Sequence, residues 1–250
     1  MVKIAIQGAC GRMGHQLVQL IGDRKDCEVV AGIDTAACDH KFPVYGSLAE
    51  AKEKIDVVID FSLPEAVKKI LPDCREKQIP IVICTTGLDE QTISDINDLS
   101  RQIPVFRSAN MSLGVNVLVA VAKKAAALLP GFDIEIVEKH HRNKLDAPSG
   151  TALMLADAIN EQAGHKYQYQ YDRHELRRVR PEDEIGIHAV RGGSIVGEHD
   201  VIFAGGNETL TLSHSAQSRA VFANGAIAAA LYLPHQAPGL YDMNDMLELV

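Results

Sequence analysis

The residues with the clearest chemical potential lie between Glu138 and Thr151, where two histidines, a lysine and the start of a predicted helix occur within fourteen positions. An imidazole with a pKa of about 6.5 can donate a proton at neutral pH. Because neighbouring residues of a strand point to opposite faces, His140 and His141 are expected to have different roles. One of them would act as a general acid, and the other would donate a hydrogen bond to an anionic ligand.

The predicted helix that follows the histidine pair supplies a place for an anion. Ser149 is a suitable N-cap residue, which would leave the backbone amides of Gly150 and Thr151 facing outward at the first turn. Amides at a helix N-terminus bind carboxylates and phosphates, and Lys144 adds a full positive charge nearby. The segment therefore predicts a site that binds an acidic substrate and transfers a proton to it.

Two other interpretations of this segment stay open. It could be an exposed basic loop without a ligand, although the adjoining helix start favours an anion site. It could also bind a metal through His140, His141 and Asp146, but consecutive histidines lack the helical spacing of common zinc sites. We therefore predict no metal site.

A glycine-rich segment near the beginning of the chain predicts a dinucleotide site. The strand-like run Val2–Gln7 leads into glycines at positions 8, 11 and 14, a Gly-x-x-Gly-x-x-Gly variant of the dinucleotide fingerprint. Asp34 stands twenty residues beyond Gly14, where a carboxylate can accept hydrogen bonds from the adenosine ribose. The alternative is a tight strand-to-helix turn without a ligand, in which Asp34 caps the next loop.

The residue after Asp34 bears on the choice of cofactor. It is Thr35 rather than arginine, and a carboxylate repels the 2′-phosphate that distinguishes NADPH from NADH. The pair Asp34-Thr35 therefore favours NADH, while Arg12 or Lys41 could still hold a 2′-phosphate.

The first hundred residues alternate short β-branched runs with amphipathic segments, which is typical of parallel strands joined by helices. Candidate strands are Lys3–Gln7, Glu28–Ile33, Asp56–Phe61, Pro80–Thr85 and Pro104–Arg107. Candidate helices are Gly14–Gly22, Ser47–Lys54, Pro64–Lys77 and Asp89–Gln102. The pattern predicts an α/β fold whose first domain is a Rossmann-like, doubly wound parallel sheet.

The pattern changes near residue 110. The predicted elements after it are a helix, Leu113–Leu129, a strand, Asp133–His140, a helix from Ser149, and strands Ile185–Arg191, His199–Ala204 and Thr209–His214. Glycine turns between these last strands predict an antiparallel sheet. We expect residues 1–110 to bind the dinucleotide and residues 111–218 to form an α+β domain for substrate binding and oligomerisation. A returning C-terminal helical segment, residues 219–250, would pack on the first domain.

Composition narrows the possible partners and locations. Hydrophobic residues make up 46% of the 250 residues, and the formal net charge of −8 argues against a general nucleic-acid or anionic-membrane surface. No apolar run is long enough to span a membrane and no secretory leader opens the chain, so we expect a cytoplasmic protein. The five cysteines are odd in number and irregularly spaced, which predicts reduced thiols rather than disulfides.

Taken together, the sequence resembles the 4-hydroxy-tetrahydrodipicolinate reductase (dihydrodipicolinate reductase) family, and the likeness runs nearly from end to end. The motifs that carry it are Gly8-Ala9-Cys10-Gly11-Arg12-Met13-Gly14, Asp60-Phe61-Ser62, Thr85-Thr86-Gly87, Ser108-Ala109-Asn110-Met111-Ser112-Leu113-Gly114-Val115-Asn116, the run from His140 to Thr151, Ile195-Val196-Gly197-Glu198-His199 and Phe222-Ala223-Asn224-Gly225-Ala226. The run from His140, with its Asp-Ala-Pro-Ser-Gly-Thr ending, is highly specific.

The resemblance implies reduction of 4-hydroxy-tetrahydrodipicolinate to tetrahydrodipicolinate by NADH or NADPH, with release of water, in diaminopimelate and lysine biosynthesis. It implies that His140 is the proton donor and Lys144 a second acid or electrostatic partner, and that His141, Lys144, Gly150 and Thr151 bind the ring dicarboxylate. The cofactor contacts that it implies are Gly8, Ala9, Cys10, Gly11, Arg12, Met13, Asp34, Cys84, Thr85, Thr86, Ser108, Ala109, Asn110 and Met111.

The family also implies a homotetramer joined through the second-domain sheet. The sequence departs from the common family pattern in two places. Cys84 stands where glycine more often precedes Thr-Thr-Gly, and Thr35 stands where NADPH-using members tend to carry arginine. The second departure leaves the cofactor preference open.

Two other functions are compatible with parts of this pattern. A two-domain dehydrogenase for an aspartate-type or sugar substrate would share the first domain, but the anion site beside the histidine pair favours the reductase. A redox-sensing NADH-binding module would bind cofactor without turnover. That reading would gain support if His140 and Lys144 were missing, and both are present.

Overall fold

The computed structural model describes residues 1–249 and divides them into two compact units. Met1–Ser112 and Ala220–Glu248 form unit 1, and Leu113–Arg219 form unit 2. Residue 250, the last of the segment 219–250 predicted to return to the first domain, lies outside the described residues. The assignment of dinucleotide binding, substrate binding and oligomerisation to these segments stays a prediction.

Unit 1 is built around a seven-stranded sheet in which all neighbouring strands are parallel. Numbered in chain order, its strands are β1 (Val2–Gln7), β2 (Cys27–Ile33), β3 (Val44–Tyr45), β4 (Val57–Asp60), β5 (Ile81–Ile83), β6 (Pro104–Arg107) and β12 (Gly239–Tyr241). Its helices are α1 (Arg12–Gly22), α2 (Pro64–Lys77), α3 (Glu90–Ser100), α6 (Ala220–Tyr232) and α7 (Met243–Leu247). The predicted doubly wound parallel sheet is confirmed.

The strand order of this sheet, β12-β6-β5-β4-β1-β2-β3, creates a switch point beside β1. From β1 the chain continues to β2 on one side, and β4 pairs with β1 on the other side. In open parallel sheets, ligands bind outside the carboxyl ends of the strands at such a point. The glycine-rich segment after β1 therefore lies where a dinucleotide is expected.

Buried apolar side chains hold the strands of unit 1, and therefore their carboxyl ends, in place. Ala5 and Ile81 belong to a fully buried cluster that also contains Ile70 of α2 and Leu99 of α3. Burial of each isoleucine or leucine side chain contributes about 1.5–3 kcal/mol. The loops at the carboxyl ends of the strands are therefore mounted on a rigid support.

Unit 2 contains two helices and a five-stranded sheet. Its elements are α4 (Leu113–Leu128), β7 (Asp133–His140), α5 (Gly150–Gln162), β8 (Gln168–Gln170), β9 (Glu184–Arg191), β10 (Gly197–Ala204) and β11 (Thr209–Ala216). The strand order is β11-β10-β7-β9-β8. Strand β10 is antiparallel to β11 and β7, but β9 is parallel to β7 and β8.

The sheet of unit 2 is therefore mixed, and the prediction of an antiparallel sheet is wrong for β9. The sequence did not predict strand β8. The connection from β7 to β9 contains helix α5. A connection that includes a helix crosses over the sheet and returns the chain in the same direction, which makes the pair parallel.

One face of this sheet is buried and carries the polar residues of interest at its end. Ile134 and Ile136 of β7 pack with Leu118 of α4 and Leu155 of α5. Burial alternates along β7, so the same buried face continues to Glu138 and His140 at the end of the strand. Two ionisable side chains thus stand where an apolar core meets a loop.

The predicted helix Ser47–Lys54 is also wrong. Only Leu48–Glu50 forms a short 3-10 turn, and Ala51 already has an extended backbone. The Ala51 carbonyl accepts a hydrogen bond from Lys77 of α2, 2.9 Å away. Tertiary contacts therefore override the high helix propensity of the Leu, Ala, Glu and Lys residues in this segment.

The prediction that all cysteines are reduced thiols is wrong for two of the five. Cys10 and Cys38 form a disulfide, with Cα atoms 5.6 Å apart, while Cys27, Cys74 and Cys84 are free and buried. Cysteine number and spacing gave no sign of this pair, because Cys10 follows β1 and Cys38 follows β2. Only the parallel pairing of those strands brings the two loops together.

Candidate active site

A cavity of about 650 Å³ lies at the carboxyl ends of β1, β2 and β4 in unit 1. The predicted cofactor residues that line it are Gly8, Gly11, Arg12, Met13 and Asp34. Polar residues that also line it, to which the sequence assigned no contact, include Gln7, Ser47, Ser62, Lys69 and Asp73. Gln7 and Ser62 lie at or just after strand ends, whereas Lys69 and Asp73 belong to α2, and the sequence alone does not show that they come together.

The first glycine of the loop cannot be replaced without moving the backbone. Gly8 has φ of +80°, and a Cβ atom there would lie 2.4 Å from the Phe61 carbonyl oxygen. Glycine alone adopts this conformation freely. The chain can therefore turn directly from β1 into α1 and present backbone to the cavity.

Asp34 is anchored beside the cavity by two backbone amides. The Cys10 amide donates to Oδ2 and the Ala36 amide donates to Oδ1, each over 2.9 Å. Each carboxylate oxygen has two lone pairs, so both can accept a further hydrogen bond. The geometry holds the carboxylate ready for hydroxyl groups such as those of a ribose.

Asp60, at the end of β4, is buried and connects the loops that follow β4 and β5. Its side chain is fully buried and accepts hydrogen bonds from the Ser62 hydroxyl and, over 2.6 Å, from the Thr85 hydroxyl. The Ser62 amide in turn donates to the Thr85 oxygen, 3.0 Å away. Burial raises the pKa of Asp60 to about 6, against the opposing effect of these hydrogen bonds.

The remaining predicted cofactor residues are placed at the same edge of the sheet but do not line the cavity in the part of the chain described. Ala9 is fully buried, and Cys10 is in the disulfide. Cys84, Thr85 and Thr86 follow β5, and Ser108, Ala109, Asn110 and Met111 follow β6. Burial raises the pKa of the Cys84 thiol well above its usual range, so it is not a reactive thiolate.

In unit 2, His140 is held by a carboxylate. Its Nδ1 atom lies 2.6 Å from Oε2 of Glu138, which is fully buried. A carboxylate only accepts, so Nδ1 carries the hydrogen. The ring also makes an edge contact with His199, 5.2 Å away between centroids.

The start of α5 lies next to this histidine. Ser149 is the N-cap, as predicted from the sequence, and its hydroxyl accepts from the Ala152 amide over 3.2 Å. The Ser149 amide donates to Oε1 of Glu138, 3.0 Å away. Gly150 is exposed at the first position of the helix, where an anion is favoured.

Lys144 and His141 lie in the loop that joins β7 to α5. The Lys144 ammonium group forms an ion pair with Asp146, 2.8 Å away, and the Lys144 amide donates to the His141 carbonyl oxygen. The Nδ1 atom of His141 is buried and has no partner among residues 1–249. The structure therefore brings His140, His141, Lys144 and the first turn of α5 into one region of unit 2.

His199 is a buried histidine for which the sequence predicted no individual role. Its Nε2 atom is 2.9 Å from the Ser149 hydroxyl oxygen, and β10 places it opposite Glu138. Burial, reinforced by the charge of His140, lowers the pKa of His199 to about 4. It is therefore neutral at neutral pH and serves as a packing and hydrogen-bonding neighbour of the helix cap.

Residues 1–249 contain no group of three or more His, Cys, Asp or Glu side chains arranged to hold a metal ion. Over the same residues, each helix is too short or too polar to cross a membrane.

Comparisons with known proteins all lead to one enzyme family. The chain matches the family model "Dihydrodipicolinate reductase, N-terminus" over residues 2–111 and "Dihydrodipicolinate reductase, C-terminus" over residues 114–247. A 4-hydroxy-tetrahydrodipicolinate reductase of Caldanaerobacter subterraneus subsp. tengcongensis is 54% identical over 248 residues, with 99% of each chain covered. That of Clostridium tetani is 45% identical, covering 99% of this chain and 97% of the relative.

Solved structures give the same result. A dipicolinate-bound dihydrodipicolinate reductase from Paenisporosarcina sp. TG-14 superposes with a TM-score of 0.82 at 26% identity, with 98% of both chains covered. An amine dehydrogenase from Mycobacterium smegmatis superposes with a TM-score of 0.66 at 11% identity, covering 98% of this chain and 95% of that one. The second likeness shows a shared fold alone.

Proposed function

The chain belongs to the dihydrodipicolinate reductase family, and on that premise we propose that unit 1 binds a pyridine nucleotide and unit 2 binds the dicarboxylate that is reduced. The activity is reduction of 4-hydroxy-tetrahydrodipicolinate, an oxidoreductase step of diaminopimelate and lysine biosynthesis. The observation that carries the site assignment is the cluster of His140, Lys144 and the α5 N-terminus in unit 2. It combines a proton donor with groups that bind carboxylates.

The residues of unit 1 fit a dinucleotide. The turn at Gly8 presents backbone to the cavity, and the anchored carboxylate of Asp34 faces the same space, which suits a pyrophosphate and a ribose. When bound, the nucleotide supplies a hydride. Asp60 holds the loops after β4 and β5 in fixed positions at the edge where the nicotinamide contacts are proposed.

In unit 2, we assign binding and proton transfer to separate groups. His141, Lys144, Gly150 and Thr151 would hold the ring dicarboxylate by charge and by the amides of the first helical turn. His140 would then deliver a proton to a ring carbon as the hydride arrives. Fixed positive groups beside the ring stabilise negative charge that develops during hydride addition.

For the cofactor, we propose that NADH is preferred. Both oxygens of Asp34 are pinned by backbone amides, and Thr35 also lines the cavity, so a 2′-phosphate would meet a fixed negative charge. Arg12 and Lys69 line the same cavity and can attract phosphate, whereas Lys41 is not among the lining residues.

A charge reversal at this position tests the preference. In Asp34→Ser combined with Thr35→Arg, we expect kcat/KM for NADPH to rise at least tenfold relative to NADH, because a repulsive charge is replaced by a bidentate phosphate partner. Thr35→Ser is the matched control and should keep the original ratio. An unchanged ratio in the double variant would show that Asp34 does not select the cofactor.

The activity itself is tested by following loss of NADH, and separately NADPH, absorbance. The substrate is generated in place from pyruvate and aspartate semialdehyde by the synthase that precedes this step. We expect oxidation that requires all components. Tight nucleotide binding without oxidation of either cofactor would instead favour another dehydrogenase substrate or a redox-sensing module.

Assembly and location stay proposals. We propose a homotetramer joined through the sheet of unit 2, because α4 and α5 pack on one face of it, and Val190 and Leu210 of its strands are 46% and 40% exposed. Light scattering during size-exclusion chromatography measures the mass directly. A monomer at micromolar concentration would refute this assembly, and a cytoplasmic location rests on the sequence alone.

A further inference from the structure

The buried carboxylate of Glu138 is the most heavily bonded side chain near the proposed active site. Oε1 accepts from Arg191 Nη2 over 2.6 Å and from the Ser149 amide over 3.0 Å. Oε2 accepts from Arg191 Nη1 over 2.7 Å and from His140 Nδ1 over 2.6 Å. All four lone-pair positions of the carboxylate are therefore occupied.

Arg191 compensates the charge of this buried group. Burial raises the pKa of Glu138, but the hydrogen bonds from Arg191 and His140 outweigh it, and the net pKa lies below the usual value. A carboxylate taken out of water persists only when it is paired and hydrogen-bonded in this way. Glu138 is therefore a permanent anion beside His140.

Arg191 also connects the carboxylate to the loop that carries Lys144. Its Nη2 atom donates to the Asp146 carbonyl oxygen, 2.7 Å away. Glu138 is bonded on the other side to the amide of Ser149, the N-cap of α5. One ion pair thus ties together the histidine, the loop and the helix start.

The opposite ring nitrogen of His140 faces a position without a side chain. A Cβ atom at Gly197 of β10 would lie 3.0 Å from His140 Nε2, closer than side chains normally approach. With Nδ1 committed to Glu138, Nε2 is the nitrogen left for a substrate. The orientation of the His140 ring is therefore set by its hydrogen bond to Glu138 and by the room that the missing side chain of Gly197 leaves.

We propose that Glu138, held by Arg191, is a positioning residue that fixes the Nδ1–H tautomer of His140 and stabilises its protonated ring, leaving Nε2 to give up the proton. This inference rests on the proposed role of His140 and deepens it. In hydrogen-bonded carboxylate–histidine pairs the carboxylate orients the ring and favours the imidazolium form. It does not itself receive the proton.

The first test is Glu138→Gln, which keeps the size and an acceptor for the Ser149 amide but removes the charge. We expect kcat at neutral pH to fall by about 10- to 100-fold, with the KM for NADH unchanged, since general acid catalysis contributes about 10²–10⁴-fold in all. The alkaline limb of the pH profile of kcat should move to lower pH, because the proton donor loses its neighbouring anion. A purely structural role would leave that limb in place.

A second readout does not depend on turnover. ¹⁵N NMR of histidine-labelled protein follows the His140 ring directly, with the signal identified by its loss in His140→Gln. In Glu138→Gln, the Nδ1–H tautomer should lose its dominance in the neutral form, because the carboxylate acceptor of Nδ1 is gone. An unchanged tautomer ratio and an unchanged pH profile together would overturn the proposal.

The chain offers a matched control on the same strand. Glu135 of β7 bonds to Arg180 over 2.9 Å and to His188 Nε2 over 2.8 Å, so it has the same kinds of partner away from the proposed site. Glu135→Gln should leave kcat and its pH profile unchanged. An equal shift in this variant would assign the effect to general electrostatics and refute a positioning role.

A double variant tests whether the effects of Glu138→Gln come from misfolding caused by an unpaired buried Arg191. Glu138→Gln combined with Arg191→Met removes both charges of the pair, a replacement that buried ion pairs often tolerate. The change in the pH profile and the change in the tautomer ratio of His140 should persist in this variant. If His140→Gln keeps full activity, the proposed function of that histidine fails. If His140→Gln is inactive but Glu138→Gln behaves as wild type in both readouts, only the positioning role fails.

Discussion

At the scale of single residues, two neighbouring histidines receive different surroundings because a strand ends between them. His140 is the last residue of β7 and lies on its buried face with Glu138. His141 begins the following loop, where its Nδ1 atom is buried without a partner among the described residues. A ring that is held by a carboxylate suits proton transfer, and a ring with a free polar atom suits ligand binding.

This difference predicts a split between two matched substitutions. In His140→Gln, kcat should fall by about 10²–10⁴-fold, the usual contribution of a general acid. In His141→Gln, the KM for the dicarboxylate should rise while kcat changes less, because a hydrogen bond to an anion is lost. Steady-state kinetics with saturating NADH separates the two. Equal kcat in wild type and His140→Gln would refute the proton-donor role.

A second prediction at this scale concerns Asp60. Its pKa is raised by burial to about 6, so the folded state binds a proton more tightly than the unfolded state. The stabilising contribution of this protonation is complete below the unfolded pKa and is lost as pH rises through about 6. The difference in the free energy of unfolding amounts to about 3 kcal/mol, from about 1.4 kcal/mol per pKa unit.

Asp60→Asn removes this titration while keeping a polar side chain for Thr85 and Ser62. We expect wild type to lose stability relative to the variant between about pH 4 and pH 7, as the carboxyl ionises in place. Urea unfolding of both proteins across this range measures the difference. A constant difference at every pH would show that Asp60 ionises as easily in the folded state as in the unfolded chain.

Residue types and spacing predicted the cluster from His140 to Thr151 and the helix cap at Ser149. They did not predict that Glu138 holds His140, or that Arg191 pairs with Glu138. Arg191 and Glu138 are separated by 53 positions and meet only through the pairing of β7 with β9. The alternation of β7 could have shown that Glu138 shares the face of His140. A charged residue on an otherwise apolar face is the signal that such a partner exists.

At the scale of elements, the sequence predicted five of the seven strands of unit 1 and its helices α1, α2 and α3. It missed β3 and β12, the second of which lies inside the segment 219–250 that was predicted to be helical, and it wrongly predicted a helix over Ser47–Lys54. Continuous apolar runs between turn residues are a clear strand signal where strands are buried on both faces, as in β1 and β4. Such runs do not specify the direction of pairing, so β9 was assigned to an antiparallel sheet. The direction follows from the helix-containing connection, which is a property of the chain path rather than of the strand residues.

The disulfide between Cys10 and Cys38 gives a prediction at this scale. It joins the glycine loop after β1 to the loop after β2 across a separation of 28 residues. Closing a loop of that size stabilises a fold by about 3–4 kcal/mol, mainly through the unfolded state. Cys38→Ser should therefore lower the midpoint of thermal unfolding under oxidising conditions.

The control for this prediction is the redox state itself. In excess dithiothreitol, wild type and Cys38→Ser should unfold at nearly the same temperature, because neither then contains the cross-link. Mass spectrometry after alkylation reports whether Cys10 is oxidised in each sample. A difference that persists in reductant would attribute the loss to packing of the cysteine side chain instead.

At the scale of the whole molecule, an acidic protein has to bind two anionic ligands. The formal net charge is −8, so long-range electrostatics does not attract either ligand. Each proposed site instead has local positive groups: Arg12 at the start of α1 in unit 1, and Lys144 with the start of α5 in unit 2. On the proposal above, binding depends on short-range interactions within one unit for each ligand.

This division predicts that affinity for each ligand changes independently. Lys144→Met should raise the KM for the dicarboxylate substrate by about 10- to 100-fold, the cost of a charged hydrogen bond, and leave the Kd for NADH unchanged. Asp34→Asn should weaken NADH by about 3- to 10-fold and leave the KM for the dicarboxylate, measured at saturating NADH, unchanged. Fluorescence titration and steady-state kinetics give the two constants. Equal weakening of both ligands by either variant would show that the ligands are not divided between the units as proposed. A site confined to one unit would leave the constant of the other ligand unchanged.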